Sequence, residues 1–172
     1  MINPSGERTF TPGELALYCQ SPLAAWWVEL DRRKLFKGQK PKQDPLSEIL
    51  KKDGIRHEET LIEKLENKNF QVNRLKGKQN KSDYKDCKDA MINGYDFIYQ
   101  ASFNNKQMRG TADLLKKVDI PSKIGSFSYI PIECKLASNV NIKFIIQALC
   151  YCDLLEETLG ALPKKFEIYL GG

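Results

Sequence analysis

"FSYIPIECKLA", residues 127–137, is a strand-like apolar run carrying a carboxylate and an ammonium two positions apart, Glu133 and Lys135. Side chains two apart on a strand share a face, so these charges project together as an ion pair or as part of a site. On an exposed strand a cross-face ion pair would be the default. Ile130, Ile132 and Leu136 instead suggest a largely buried segment, where charge needs a partner or a task. Cys134, between them, is expected to point to the opposite face as packing.

The neighbouring sequence extends this strand into a sheet. "DFIYQASF" (96–103) and "GTADLLKKV" (110–118) read as two more strands, "FQVNRL" (70–75) as a short one and "KFEIYLGG" (165–172) as a last one. Helices read between and before them. "FTPGELALYCQSPLAAWWVEL" (10–30) has Thr11 as cap, Pro12 at the first helical position, Glu14 completing a capping box, and Pro22 as a break or restart. A second helix opens near Asp44 and Pro45 and runs through "LSEILKKDGIRHEETLIEKLEN" (46–67). "SDYKDCKDAMING" (82–94) ends at Gly94, and "NIKFIIQALCYCDLLEETLG" (141–160) ends at Gly160. The expected architecture is α/β, a mixed central sheet flanked by helices. At 172 residues the chain is read as a single domain spanning 1–172.

Composition narrows the function classes. Lys and Arg number 27 against 22 Asp and Glu, a balance of +5 that permits a nucleic-acid partner without demanding one. The five cysteines form no C-x-x-C pair and follow no apolar leader, so a reduced, cytoplasmic protein is expected. The longest apolar stretch, "FIIQALCYCDLL" (144–155), is interrupted by Gln147 and Asp153 and is too short to span a bilayer. One histidine excludes a two-His zinc finger, and Cys150 and Cys152, two apart on a helix, point to different sides.

Polar residues interrupting apolar elements carry the chemistry. These are His57, Asp113, Glu133, Lys135, Gln147 and Tyr151. Asp113 follows small residues that let a ligand approach, although it could instead cap a turn after Gly110. Two carboxylates on neighbouring strands suit Mg²⁺ or Mn²⁺, which take oxygen ligands, and an imidazole from His57 tilts the preference toward Mn²⁺. Lys135 beside such an ion would orient or help deprotonate an attacking water and offset charge on a phosphorane-like transition state. Gln147 and Tyr151, four apart on a helix with Lys143 a turn back, either hold a nucleic-acid backbone, brace Lys135 or face solvent. The basic runs "RRKLFKGQKPK" (32–42) and "RLKGKQNK" (74–81), beside Trp26, Trp27 and Phe36, are solvated loops or a surface for single-stranded nucleic acid, with the tryptophans expected in the core.

At these residues the chain resembles the PD-(D/E)xK nuclease superfamily, and within it the RecB-like nucleases related to CRISPR-associated exonucleases. "GIRHE" (54–58), "GTAD" (110–113), "ECK" (133–135) and "QALCY" (147–151) occur in the family's order, and the likeness runs through nearly the whole chain. The resemblance implies a restriction-endonuclease-like fold and a metal-dependent nuclease, exonucleolytic on single-stranded DNA or DNA ends. By position it implies His57, Asp113, Glu133 and the carbonyl of Cys134 as ligands of Mg²⁺ or Mn²⁺, with Asp113, Glu133 and Lys135 catalytic. Gln147, Tyr151 and Lys143 would lie on the substrate side and Glu58 would assist from behind. Relatives that hold an iron–sulfur cluster use one N-terminal and three C-terminal cysteines; Cys19 fits the first place but the trio is lacking, so no cluster is expected here. Relatives often continue further, so the chain could be the N-terminal part of a larger protein. The alternatives are a catalytically silent nucleic-acid-binding module of a repair or helicase protein, and an adaptor in which these residues form an internal network.

Overall fold

The computed structural model describes residues 8–35 and 45–171. The expected opening of the second long helix at Asp44, the stacking surface at Phe36 and most of the first basic run lie outside the described residues. The helices are α1 (Pro12–Gln20), α2 (Pro22–Arg32), α3 (Pro45–Asn67), α4 (Lys81–Ile92) and α5 (Ile142–Leu159). The strands are β1 (Val72–Arg74), β2 (Phe97–Asn104), β3 (Arg109–Val118), β4 (Ser128–Lys135) and β5 (Glu167–Leu170).

Local chemistry sets the boundaries. The Thr11 hydroxyl accepts from the Glu14 amide while the Glu14 carboxylate accepts from the Thr11 amide, closing the capping box. Pro22 restarts the chain as a separate helix, with the Ser21 hydroxyl accepting from the Ala24 amide. Asn80 and Asp83 form a second capping box at α4, and Gly160 ends α5 in the left-handed conformation.

The sheet order is β1-β2-β3-β4-β5. β2, β3 and β4 form an antiparallel centre, and each edge strand pairs parallel with its neighbour across a helix: β1 with β2 through α4, and β4 with β5 through α5. One face packs Cys87, Ala90 and Met91 of α4 and Leu154, Leu155 and Leu159 of α5 against Ile98, Ala101, Phe103, Ala112, Leu115 and Tyr129. The other packs Ile62 of α3 against Phe97, Leu114, Ile132 and Cys134. Cys134 is thus buried opposite its charged neighbours, as the alternation required.

The strand alternation reverses once, in two strands together. In β2, Ile98 faces α4 and α5, but so do Ala101 and Phe103; in β3, Ala112 and Leu115 share that face while Leu114 takes the other. The reversal falls on Gln100, whose φ is +56°, and on Asp113, which lies opposite it between the pairs Tyr99↔Leu114 and Ala101↔Ala112. Each strand carries one out-of-phase residue, so the register survives. A non-glycine residue in this conformation inside a strand is held there by its surroundings.

The tryptophans correct the core expectation. Trp26 and Trp27 are 54% and 45% exposed, and α2 buries no residue. Its main packing partner is α1, with Glu29 paired to Arg8, and this leaves both rings about half-exposed. No described helix is long and apolar enough to cross a membrane.

Candidate functional site

The β3–β4 ladder runs from Val118↔Ser128 to Leu114↔Ile132 and stops. The next residues, Asp113 and Glu133, sit where the strands part, while β4 stays paired with β5 through Lys135↔Leu170. Asp113 lies in the middle of β3 and caps no turn. Its Oδ2 crosses the parting to accept a 2.8 Å hydrogen bond from the Cys134 amide.

Lys135 joins the two carboxylates. Its Nζ forms an ion pair with Glu133 Oε1 and stands 3.7 Å from Asp113 Oδ2, with the Phe144 ring of α5 5.8 Å away. Glu133 is only 2% exposed, and its Oε2 is buried without a hydrogen-bond partner. Such an oxygen has lost its water and gained nothing in return.

Glu58 enters from α3. Its Oε2 accepts from the Tyr99 hydroxyl and from Gln100 Nε2, both at 2.9 Å. The left-handed turn of the backbone at Gln100 thus ties the reversal to the carboxylate group. Gly77, at φ +63°, leaves room for this amide, because a Cβ there would stand 2.8 Å from Gln100 Oε1.

The electrostatics follow from three carboxylates around one ammonium. Burial, then the charge of Asp113, pushes the Glu133 carboxyl above its ordinary range, against the pull of Lys135. Burial likewise raises Asp113, opposed by Lys135 and the Cys134 amide. Burial and then Asp113 raise Glu58, against its two hydrogen bonds. Burial would lower Lys135, but the carboxylates outweigh it and hold the ammonium protonated.

His57 is placed differently from the other candidates. Its ring stacks on Tyr169 of β5 at 4.9 Å and 16°, and Nε2 is buried without a hydrogen-bond partner. A Cβ on Gly171 would come within 2.8 Å of His57 Cε1, so the ring fills the space that this glycine leaves. Tyr169 pairs with Cys134, on the β4 side away from Glu133 and Lys135. Among the described residues no three His, Cys, Asp or Glu side chains stand as a group able to hold a metal ion.

The α5 stripe turns inward. Tyr151 is buried in the core, where Gly110 makes room: a Cβ there would lie 3.0 Å from Tyr151 Cε1. Burial, followed by the charge of Glu133 and Asp113, raises its hydroxyl strongly. Tyr151 therefore does not face solvent, one of the alternatives its position left open. Gln147 is half-buried beside Gly13 of α1, and Lys143 is exposed with Nζ 5.2 Å from the Phe144 ring. The solvent face of α5 carries Ile142, Lys143, Leu149, Asp153, Glu156 and Glu157.

Gln100 was missed by sequence reasoning, because glutamine gives no signal for a left-handed backbone. No family model, curated protein or solved structure matches the chain.

Proposed function

We propose that the chain is a metal-dependent nuclease of the PD-(D/E)xK superfamily, with a restriction-endonuclease-like fold, acting on single-stranded DNA or DNA ends. The observation that carries this reading is the parting of β3 and β4. There Glu58, Asp113 and Glu133 face the single ammonium of Lys135, and Glu133 Oε2 is buried and unpartnered. Two excess negative charges in a buried place favour a cation or a proton.

The donor set suits a hard divalent ion: Asp113, Glu133 and the Cys134 carbonyl would hold Mg²⁺ or Mn²⁺, whereas His57, stacked on Tyr169 on the other side of β4, would need to move to join them. Such an ion, when bound, supplies positive charge against the oxygens of a phosphodiester. Lys135, paired with Glu133 and 3.7 Å from Asp113, would offset transition-state charge or orient the attacking water. Glu58, the carboxylate not assigned to the ion, would accept the proton of the attacking water, its carboxyl raised by burial. Hydrolysis joins the water oxygen to phosphorus, breaks one P–O ester bond and sends a proton to the departing hydroxyl.

Mn²⁺ is expected to raise the melting temperature and to support cleavage of labelled single-stranded DNA, with Asp113→Ala and Lys135→Ala removing cleavage. A second reading, an internal network that only braces the parted strands, is favoured by the closed contacts of Lys135 and by the lack of a three-ligand group among the described residues. No stabilisation and no cleavage with Mn²⁺ or Mg²⁺ would select it, and salt-dependent DNA binding in that case would mark a silent binding module.

A further inference from the structure

A cavity of about 760 Å³ opens between α4 and α5 over the sheet, and it shares no lining residue with the carboxylate cluster. Its floor is apolar and buried: Cys87, Met91, Phe103 and Leu154. At its rim stand Lys85 and Lys88, three apart and so neighbours on α4, and Lys123 from the loop joining β3 to β4. All three are exposed, and none forms an ion pair with a described residue; the lining holds one acid, Glu157. Three ammoniums against one carboxylate leave the mouth two charges positive.

We propose that this cavity binds a free mononucleotide, its base against Phe103 and Tyr84 and its phosphate among Lys85, Lys88 and Lys123. The volume falls within the range of small-molecule sites. Lysine is a point-charge partner for phosphate, and ammoniums from two chain segments suit a dianion better than a monocarboxylate. The wall also carries Asn104 and Thr158, whose amide and hydroxyl match the donors and acceptors of a base edge; an alkyl chain would leave them unused. The phenol ring of Tyr84 adds a flat surface beside them.

The test is equilibrium dialysis of labelled dAMP against the full chain in EDTA, so that no cation contributes and cleavage plays no part. Failure here therefore leaves the proposed nuclease untouched. One saturable site is expected, weakened roughly tenfold or more in the double variant Lys88→Glu, Lys123→Glu and unchanged in Lys51→Glu, Lys64→Glu, which reverses two exposed lysines of α3. Circular dichroism confirms that both variants are folded. Equal weakening in the two doubles would reduce the effect to general charge and overturn the proposal. So would failure of dAMP to bind, displacement of bound dAMP by laurate but not by unlabelled dTMP, or binding of an oligonucleotide without dAMP.

Discussion

Replacing Lys135 with methionine keeps the length and apolar stem of the side chain and removes its charge. Glu133 is 2% exposed and Asp113 lies 3.7 Å from the lost Nζ, so two buried carboxylates would keep only the Cys134 amide as a named partner. Breaking a buried pair from one side costs about 3–5 kcal/mol, the upper part of the effect a single substitution produces. The penalty depends on pH. Glu133 and Asp113 are already raised in the folded protein, which therefore binds more protons than the unfolded chain between the ordinary carboxylate range and the raised values. Across that window stability falls as pH rises. Without Lys135 the carboxyls rise further, the window reaches to higher pH, and protonation relieves more of the loss in mild acid. Urea unfolding at pH 5.5 and pH 8 should show the variant much closer to wild type at the lower pH. A loss below about 1 kcal/mol, or one equal at both values, would refute the description of Glu133 and Asp113 as carboxylates held by Lys135.

Two glycines should respond oppositely to alanine. Gly110→Ala places a Cβ 2.9 Å from Pro12 Cδ and 3.0 Å from Tyr151 Cε1, and overpacking of about 1–3 kcal/mol should appear as a lowered melting temperature. Gly54→Ala meets nothing within 4 Å inside α3 and should stabilise by up to about 1 kcal/mol in the same assay. In the native state a thiol reagent should label Cys19 alone. The other four are buried, with Cys87 pushed up to about 12, Cys150 and Cys152 to about 11, and Cys134 also raised. Acrylamide should quench nearly all the tryptophan fluorescence of the folded chain, since both rings are exposed; strong protection would place α2 against a surface.

Much of the architecture was legible because it is local. Thr11 with Glu14, the proline at 22 and the glycine at 160 act within one helical turn, and the alternation through Glu133, Cys134 and Lys135 fixes which of them meets the core. The meeting of Asp113 with Lys135 could be anticipated from two adjacent strands. What lay beyond reach depends on distant partners. The inward turn of Tyr151 needs the side chain that Gly110 lacks, forty-one positions earlier in sequence. Glu58 reaches the site through Gln100, and the exposure of Trp26 reflects a helix that buries none of its residues, neither of which hydrophobicity encodes.

The reversal at Gln100 and Asp113 makes insertions and deletions in these strands a matter of pairs. Losing Gln100 alone would leave Ala101 and Phe103 on the core face, because Tyr99 and Ala101 alternate once it is gone, but would strand Asp113 as an unmatched bulge in β3 and remove an amide partner of Glu58. Losing Asp113 as well would let the two strands fall back into step, giving a regular ladder with its acidic crossing point erased. A regular ladder is thus reached here only at the expense of the carboxylate itself.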